Sequence, residues 1–393
     1  MLPSTQPFIR DRLTWLAYAM LAYIGFSQSI LGPLMPFLRT ELQLNYTLGG
    51  LLPATLATGL ILSGLISAGL ARRWSRRGVF WLGSLGLAAG VVMLSLSYRF
   101  ESALTAVLVM GICSSLTQVM IQAILSDRHA GRRAIALTEA NVAASLSTTI
   151  TPLVIGSLQS TGLGWRTVPV IVVLLLTLLA GIFSRQSIPD RPAVQTEAAE
   201  EKGRLPVAFR LYWIVLFFVV AVEMSVVVWA TDFLVSVAGL SRTDAVLGFS
   251  TFPAAMLVGR IAGSRLTRRS SSLRLLLMAL GVTLAGFPLF WLARLPALNI
   301  LGLFITGLGI ANLYPLTLSM AIGLTPDRSN QASARVSMGV GTALLTAPLL
   351  LGWLADRLSL QLAYGMVIVL IIAAFAIVMN NRGPSGRQIP CQP

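Results

Sequence analysis

Charge is what this chain has least of. Only 11% of its 393 residues are Asp, Glu, Lys or Arg, where soluble domains carry roughly a quarter. That is too little polar surface to cover a fold of this size in water. There is one histidine, His129, in a basic stretch, and there are two cysteines, Cys113 and Cys391, too few for a disulfide framework. No Cys-x-x-Cys, His-Glu-x-x-His, Gly-x-Ser-x-Gly or P-loop run occurs. Metal, nucleophilic and nucleotide-phosphate chemistry thus have no motif to carry them. Neither an enzyme nor an ATP-driven pump is expected, and no cofactor or metal.

What is abundant is apolar sequence, 55% of the chain. A bilayer core of about 30 Å needs about 20 apolar residues per helix, and runs of that length recur twelve times. They fall at 13–37, 47–70, 79–98, 102–126, 135–157, 166–184, 211–235, 245–266, 275–294, 298–323, 332–354 and 361–380. The expected fold class is an all-α membrane protein with twelve transmembrane helices. The first run follows Arg10 and Arg12 and lacks a small-residue cleavage site, so it reads as a span rather than a removable signal. Residues 185–208 are the one long polar stretch and divide the chain into a bundle over 1–184, a linker, and a bundle with a short tail over 209–393.

The formal charge of +15 comes in clusters between apolar runs, not in a stripe, so nucleic acid is not an expected partner. Arginines crowd alternate connections, as in Arg72, Arg73, Arg76 and Arg77, then Arg128, Arg132 and Arg133, then Arg265, Arg268 and Arg269. The other connections carry isolated arginines such as Arg39, Arg166 and Arg357. Positive charge is retained on the cytoplasmic side, so both termini are expected there, in an inner (plasma) membrane.

The halves repeat. Thr151-Pro152 and Gly156 return 196 residues later as Ala347-Pro348 and Gly352, and the same shift lays Phe37-Leu38 on Phe233-Leu234 and Leu70, Arg72, Arg73 on Leu266, Arg268, Arg269. Two six-helix halves related along the membrane normal form a transporter arrangement, with cargo held between them near the midplane.

The twelve spans, the central linker and the loop Ala68-Gly69-Leu70-Ala71-Arg72-Arg73-Trp74-Ser75-Arg76-Arg77 resemble the major facilitator superfamily over essentially the whole chain. That loop reads Gly-x-Leu-Ala-Asp-Arg-x-Gly-Arg-Arg in the family. Arg72 stands where the family has the acid that meets a helix N-terminus, so the usual inner charge lock does not carry over, and a different gate involving Arg72 and Arg73 is implied. The fourth-span arginine of proton-driven drug exporters has no counterpart between Ala103 and Ser126, and the Gly-rich fifth-span antiporter pattern is reduced to Pro152 and Gly156. Both absences weigh against a typical drug antiporter.

Charge at a helix centre in lipid costs about 2.5 to 3.5 kcal/mol on insertion scales, which makes intramembrane ionisable residues functional candidates. Glu223, at the middle of the seventh run, is the first choice for proton coupling, because burial and hydration favour opposite protonation states of a carboxyl. Its alternative is a protonated side chain bonded to a neighbouring helix. Asp232 reads as a solvated span end. Glu139 and Arg335 are symmetry equivalents near the cytoplasmic ends of the fifth and eleventh runs. They form either a gate between the halves or separate pairs within each half, Glu139 then meeting Arg132 or Arg133. Arg260 is a possible contact for an anionic cargo, although Gly259-Arg260-Ile261-Ala262-Gly263 resembles a structural eighth-span pattern of the family.

By resemblance, spans 1, 4, 7 and 10 line the cavity. Their polar and aromatic residues are Ser27, Gln28, Gln118, Gln122, Trp229, Asn312 and Tyr314, with Gln118 and Gln122 one helical turn apart. Such a lining suits a hydroxylated, uncharged solute, and each of its members has interhelical bonding as the alternative. Gly86 with Gly90 and Gly259 with Gly263 have the spacing that lets helices touch. Pro33, Pro36 and Pro315 are candidate bends. The expected function is alternating-access transport of a small polar solute by a monomer, with proton-coupled uptake of a sugar-like compound. Proton-driven efflux of amphipathic compounds and transport of an organic anion through Arg260 are the alternatives.

Overall fold

A computed structural model describes residues 9–189, 205–267, 270–325 and 328–381. Most of the expected linker and the C-terminal tail lie outside the described residues. Among those described, every regular element is helical, as lipid requires: without water, backbone N–H and C=O groups must pair within their own segment.

Twelve helical stretches are long and apolar enough to cross a bilayer. Spans 1 to 6 are Arg12–Glu41, Tyr46–Gly64, Arg76–Ser95, Phe100–Arg128, Ile135–Ser160 and Trp165–Phe183. Spans 7 to 12 are Val207–Ser236, Arg242–Leu266, Ser272–Leu292, Pro296–Gly323, Gln331–Arg357 and Leu360–Asn380. The helix of span 2 runs on to Arg73. An even number of crossings puts the first and last described residues on one side, the terminal face; the other is the distal face.

Side-chain oxygens start several of these helices. Asp11, Asn45, Ser75 and Ser241 accept the amides of Thr14, Leu48, Gly78 and Asp244, which satisfies donors that the helix itself cannot.

Proline decides where spans break. Span 1 is two helices, Arg12–Gln28 and Leu31–Glu41; span 8 is Arg242–Phe249 and Thr251–Leu266; span 10 is Pro296–Ile310 and Leu313–Gly323. Pro33, Pro253 and Pro315 have no N–H to give to the carbonyls of Ser29, Phe249 and Ala311. The breaks fall at those carbonyls, and the ladder resumes one residue on, at Leu34 to Ile30, Ala254 to Ser250 and Leu316 to Asn312. Pro33 and Pro315 were recognisable as bends; Pro253 is an addition. Pro36, Pro152 and Pro348 sit inside unbroken helices.

Among the described residues the buried apolar side chains form two cores. One gathers buried residues from Leu13 to Ile188 with Val246, the other from Phe209 to Val378 with Met35. Each half thus surrenders one side chain to the opposite core. Outside, Leu85, Leu174 and Val369 are exposed, an arrangement costly in water at about 25 cal/mol per Å² and without that cost in lipid.

Gly86 and Gly90 let spans 3 and 4 touch. A Cβ on Gly90 would stand 3.0 Å from the Met110 nitrogen and 3.1 Å from the Ala106 carbonyl oxygen, backbone atoms that cannot swing aside. Gly90→Val is expected to destabilise the fold by about 1–3 kcal/mol, the usual cost of overpacking. The check is a lowered midpoint of thermal unfolding in detergent, with Gly281→Val, where a Cβ meets open space, as the neutral control.

Candidate functional site

At the distal face the halves are sewn together. Arg39, at the end of span 1, forms an ion pair with Asp232 of span 7. The guanidinium lies 3.4 Å from the centre of the Tyr46 ring, whose edge meets Trp229 at 5.6 Å between centroids. Trp229 donates its indole N–H to the Pro348 carbonyl at 2.9 Å. The amides of Tyr46 and Thr47 and the Thr47 hydroxyl donate to Asp356 at 2.8, 2.7 and 2.6 Å. Asp232 is therefore not the solvated span end expected of it. It is 4% exposed, because the opposite half supplies its counter-ion.

Toward the terminal face, Asn141, Arg260 and Arg335 are exposed, and a cavity of about 290 Å³ lies between the halves. Its polar wall comes from spans 1, 4 and 5: Gln28, Ser29, Gln118, Asn141, Ser145 and Thr148. Its apolar wall includes Val227, Phe249, Phe252 and Met256 of spans 7 and 8. Glu223 and Arg260 complete it. Glu223 is mid-span yet partly exposed, and Arg260 and Tyr314 are within reach of its charge. Arg260 reaches across the cavity to donate to the Ser145 hydroxyl at 2.6 Å.

Of the anticipated lining, Gln28 and Gln118 are in the walls, and Gln28 is held by donating to the Ser114 hydroxyl at 2.8 Å. Three others are held elsewhere. Ser27 is buried and donates to the Tyr23 carbonyl. Trp229, fully buried, belongs to the distal seal. Asn312 sits at the break of span 10 and donates to the Gly259 carbonyl at 2.7 Å. Gln122, one turn beyond Gln118 toward the terminal face, is exposed but is not among the residues that line the cavity. Tyr314 is half-buried beside Glu223 but outside the cavity walls. The physical reason is common to the buried members: a polar group without water takes the first backbone carbonyl in reach. Sequence reasoning missed Asn141, Ser145 and Thr148, although their spacing of four and three residues marks one helical face.

The terminal ends pair within each half. Glu139 accepts both Arg10 nitrogens, at 2.8 and 2.6 Å, and the Tyr18 hydroxyl at 2.9 Å. Its partner is thus neither Arg335 nor Arg132 or Arg133. The Arg335 carbonyl accepts the Trp213 indole at 2.7 Å. Arg73 is exposed; the Arg72 side chain lies outside what is described. Beside them, the Thr14 hydroxyl is 2.8 Å from the ring of His129, whose pKa is lowered by burial and by Arg128 against the pull of Asp11. Partial burial raises the Asp11 carboxyl, but the Thr14 hydroxyl and amide and the Arg128 guanidinium outweigh it and hold it below the usual range.

The family model described as Major Facilitator Superfamily matches residues 17–303. The chain belongs to the major facilitator superfamily. It is an alternating-access transporter of small organic solutes, a multi-pass membrane protein embedded in lipid. An uncharacterized MFS-type transporter of Yersinia pestis is 24% identical over 392 residues, covering 95% of this chain and 96% of that protein. A glucose/galactose transporter of Brucella abortus biovar 1 is 26% identical over 377 residues, 88% of each chain. Among solved structures, an inward-facing, occupied bacterial homologue of the human lysosomal transporter Spinster shares the fold, with a TM-score of 0.74 at 17% identity over 96% of this chain and 97% of that one.

The Asp11 pair yields a pH test. A carboxyl whose folded pKa is depressed contributes stability above its unfolded pKa and loses it as pH falls through the folded value. Asp11→Asn keeps a capping oxygen and removes the charge. Wild type is expected to melt above Asp11→Asn near neutral pH, with the margin shrinking as pH falls below about 4, where the Asp11 carboxyl takes up its proton. Thermal unfolding across that range measures it.

Proposed function

We propose that this transporter moves a small hydroxylated solute in symport with a proton, with Glu223 as the proton carrier. The observation that carries this reading is the placement of Glu223 in the cavity wall, mid-span, with no hydrogen bond or ion pair to it among the described residues. A carboxyl that meets water in one access state and protein in the other takes up and releases a proton as the halves rock. The amide and hydroxyl wall supports a cargo rich in hydroxyl groups, and the apolar face of Phe249, Phe252 and Met256 suits the C–H side of a ring. Similarity to a glucose/galactose transporter agrees with that class. The clustered arginines support cytoplasmic termini in a plasma membrane, and a complete cavity within one chain supports a monomer as the working unit. Arg72, Arg73 and Arg335, at or near the terminal face, together with Glu139, are the residues proposed to close that face in the other access state.

One observation favours a second reading. Arg260 is in the cavity, with N–H groups beyond the one given to Ser145, so an organic anion is the alternative cargo.

In proteoliposomes, Glu223→Gln is expected to abolish accumulation driven by an inward proton gradient while sparing counterflow. Accumulation that survives the substitution removes the coupling assignment. Accumulation driven only by the opposite gradient makes the protein an exporter. The cargo is named by thermal shift of the purified protein with sugars, polyols, organic acids and lipophilic cations, since binding to the folded state raises its melting temperature. A response to acids that Arg260→Gln eliminates selects the anion reading.

A further inference from the structure

We propose that Asp356, the carboxylate at the end of span 11, is a latch that holds the carrier closed at its distal face by capping the first turn of span 2 in the opposite half. One carboxylate oxygen accepts the Tyr46 amide, and the other accepts the Thr47 amide and hydroxyl. Span 2's own cap, Asn45, reaches only Leu48 at 2.8 Å. Asp356 thus supplies, from the other half of the molecule, acceptors that the helix lacks at its start. The N-terminal end of a helix also carries partial positive charge, which favours an anion there.

The approach is built into the packing. Gly50 leaves room for the opposing backbone, since a Cβ there would stand 2.9 Å from the Leu349 Cα and 3.0 Å from the Pro348 oxygen. Gly352, one turn before Asp356, faces the Tyr46 carbonyl in the same way. These bonds join residues of different halves. When the halves part at the distal face they must all break, so they stabilise one access state and not the other, which is the condition for shifting a conformational balance.

The other end of the same two helices has no such arrangement in its sequence. The helix of span 2 finishes in Leu70-Ala71-Arg72-Arg73, and the first turn of the span 11 helix contains no acid. The run Gly352-Trp353-Leu354-Ala355-Asp356-Arg357 places at the distal end of span 11 the Gly-x-Leu-Ala-Asp-Arg frame in which span 2 has lost its acid. The latch has one position, and that position favours a cavity open to the terminal face.

The test is a distance measurement between spin labels on the full chain in lipid, attached through Leu163→Cys and Leu295→Cys in a Cys113→Ser, Cys391→Ser background. Both sites are exposed, on distal connections of different halves. The parent is expected to give a single short distance. Asp356→Asn is expected to raise the population of a longer distance about threefold, as loss of charge from a solvent-exposed set of hydrogen bonds implies. Thr47→Val, which removes one bond, shifts it the same way by less. Asp244→Asn, an acid bonded to the cap of its own helix, is expected to change nothing. The proposal is overturned if folded Asp356→Asn superimposes on the parent, or if Asp244→Asn produces the same longer distance. It is equally overturned if Asp356→Asn does not fold and Thr47→Val leaves the distribution unmoved.

Discussion

The structure depends on the buried ion pair between Arg39 and Asp232. Two charges withdrawn from water are tolerable only in each other's company, and these two belong to different halves of the chain. Around them the aromatic contacts of Tyr46 and Trp229 and the indole bond to Pro348 form a dry seal. That seal lies on the distal side of the cavity between the halves. Glu223 can meet water from one face only because the other is shut.

The same seal explains why the halves keep separate cores. A carrier that rocks must have rigid bodies and a weak seam, and here the seam is polar at the edges and glycine-lined where helices touch. The Arg39–Asp232 ion pair and the Asp356 hydrogen bonds join the halves at the distal face, and Arg260 bonds Ser145 across the cavity. The polar wall and the apolar wall of the cavity belong largely to different halves, so cargo that contacts both bridges the seam.

The twelve crossings were legible in the sequence because hydropathy over about 20 residues is a strong, local signal. Glu223 stands out in the sequence as a lone acid in hydrocarbon, and the structure places it in the cavity wall. Gln28 and Gln118 were reached through the family resemblance, which assigns spans 1 and 4 to the cavity. It could not place the other expected lining residues, because whether a polar side chain faces a cavity or a neighbouring carbonyl depends on helix rotation and tilt, which residue spacing does not encode. Trp229 and Asn312 were diverted in that way. Asp232 and Asp356 were illegible for another reason: their partners, Arg39 and the start of span 2, lie far away in the chain and meet them only once the two halves close.

Met35 and Val246 each sit in the core of the half to which they do not belong. Opening the distal face draws both out of their sockets, so the exchange between access states carries a small piece of the thermodynamics of unfolding. Uncovering apolar surface has a positive heat-capacity change. The ratio of the two states therefore bends with temperature instead of following a straight van't Hoff line.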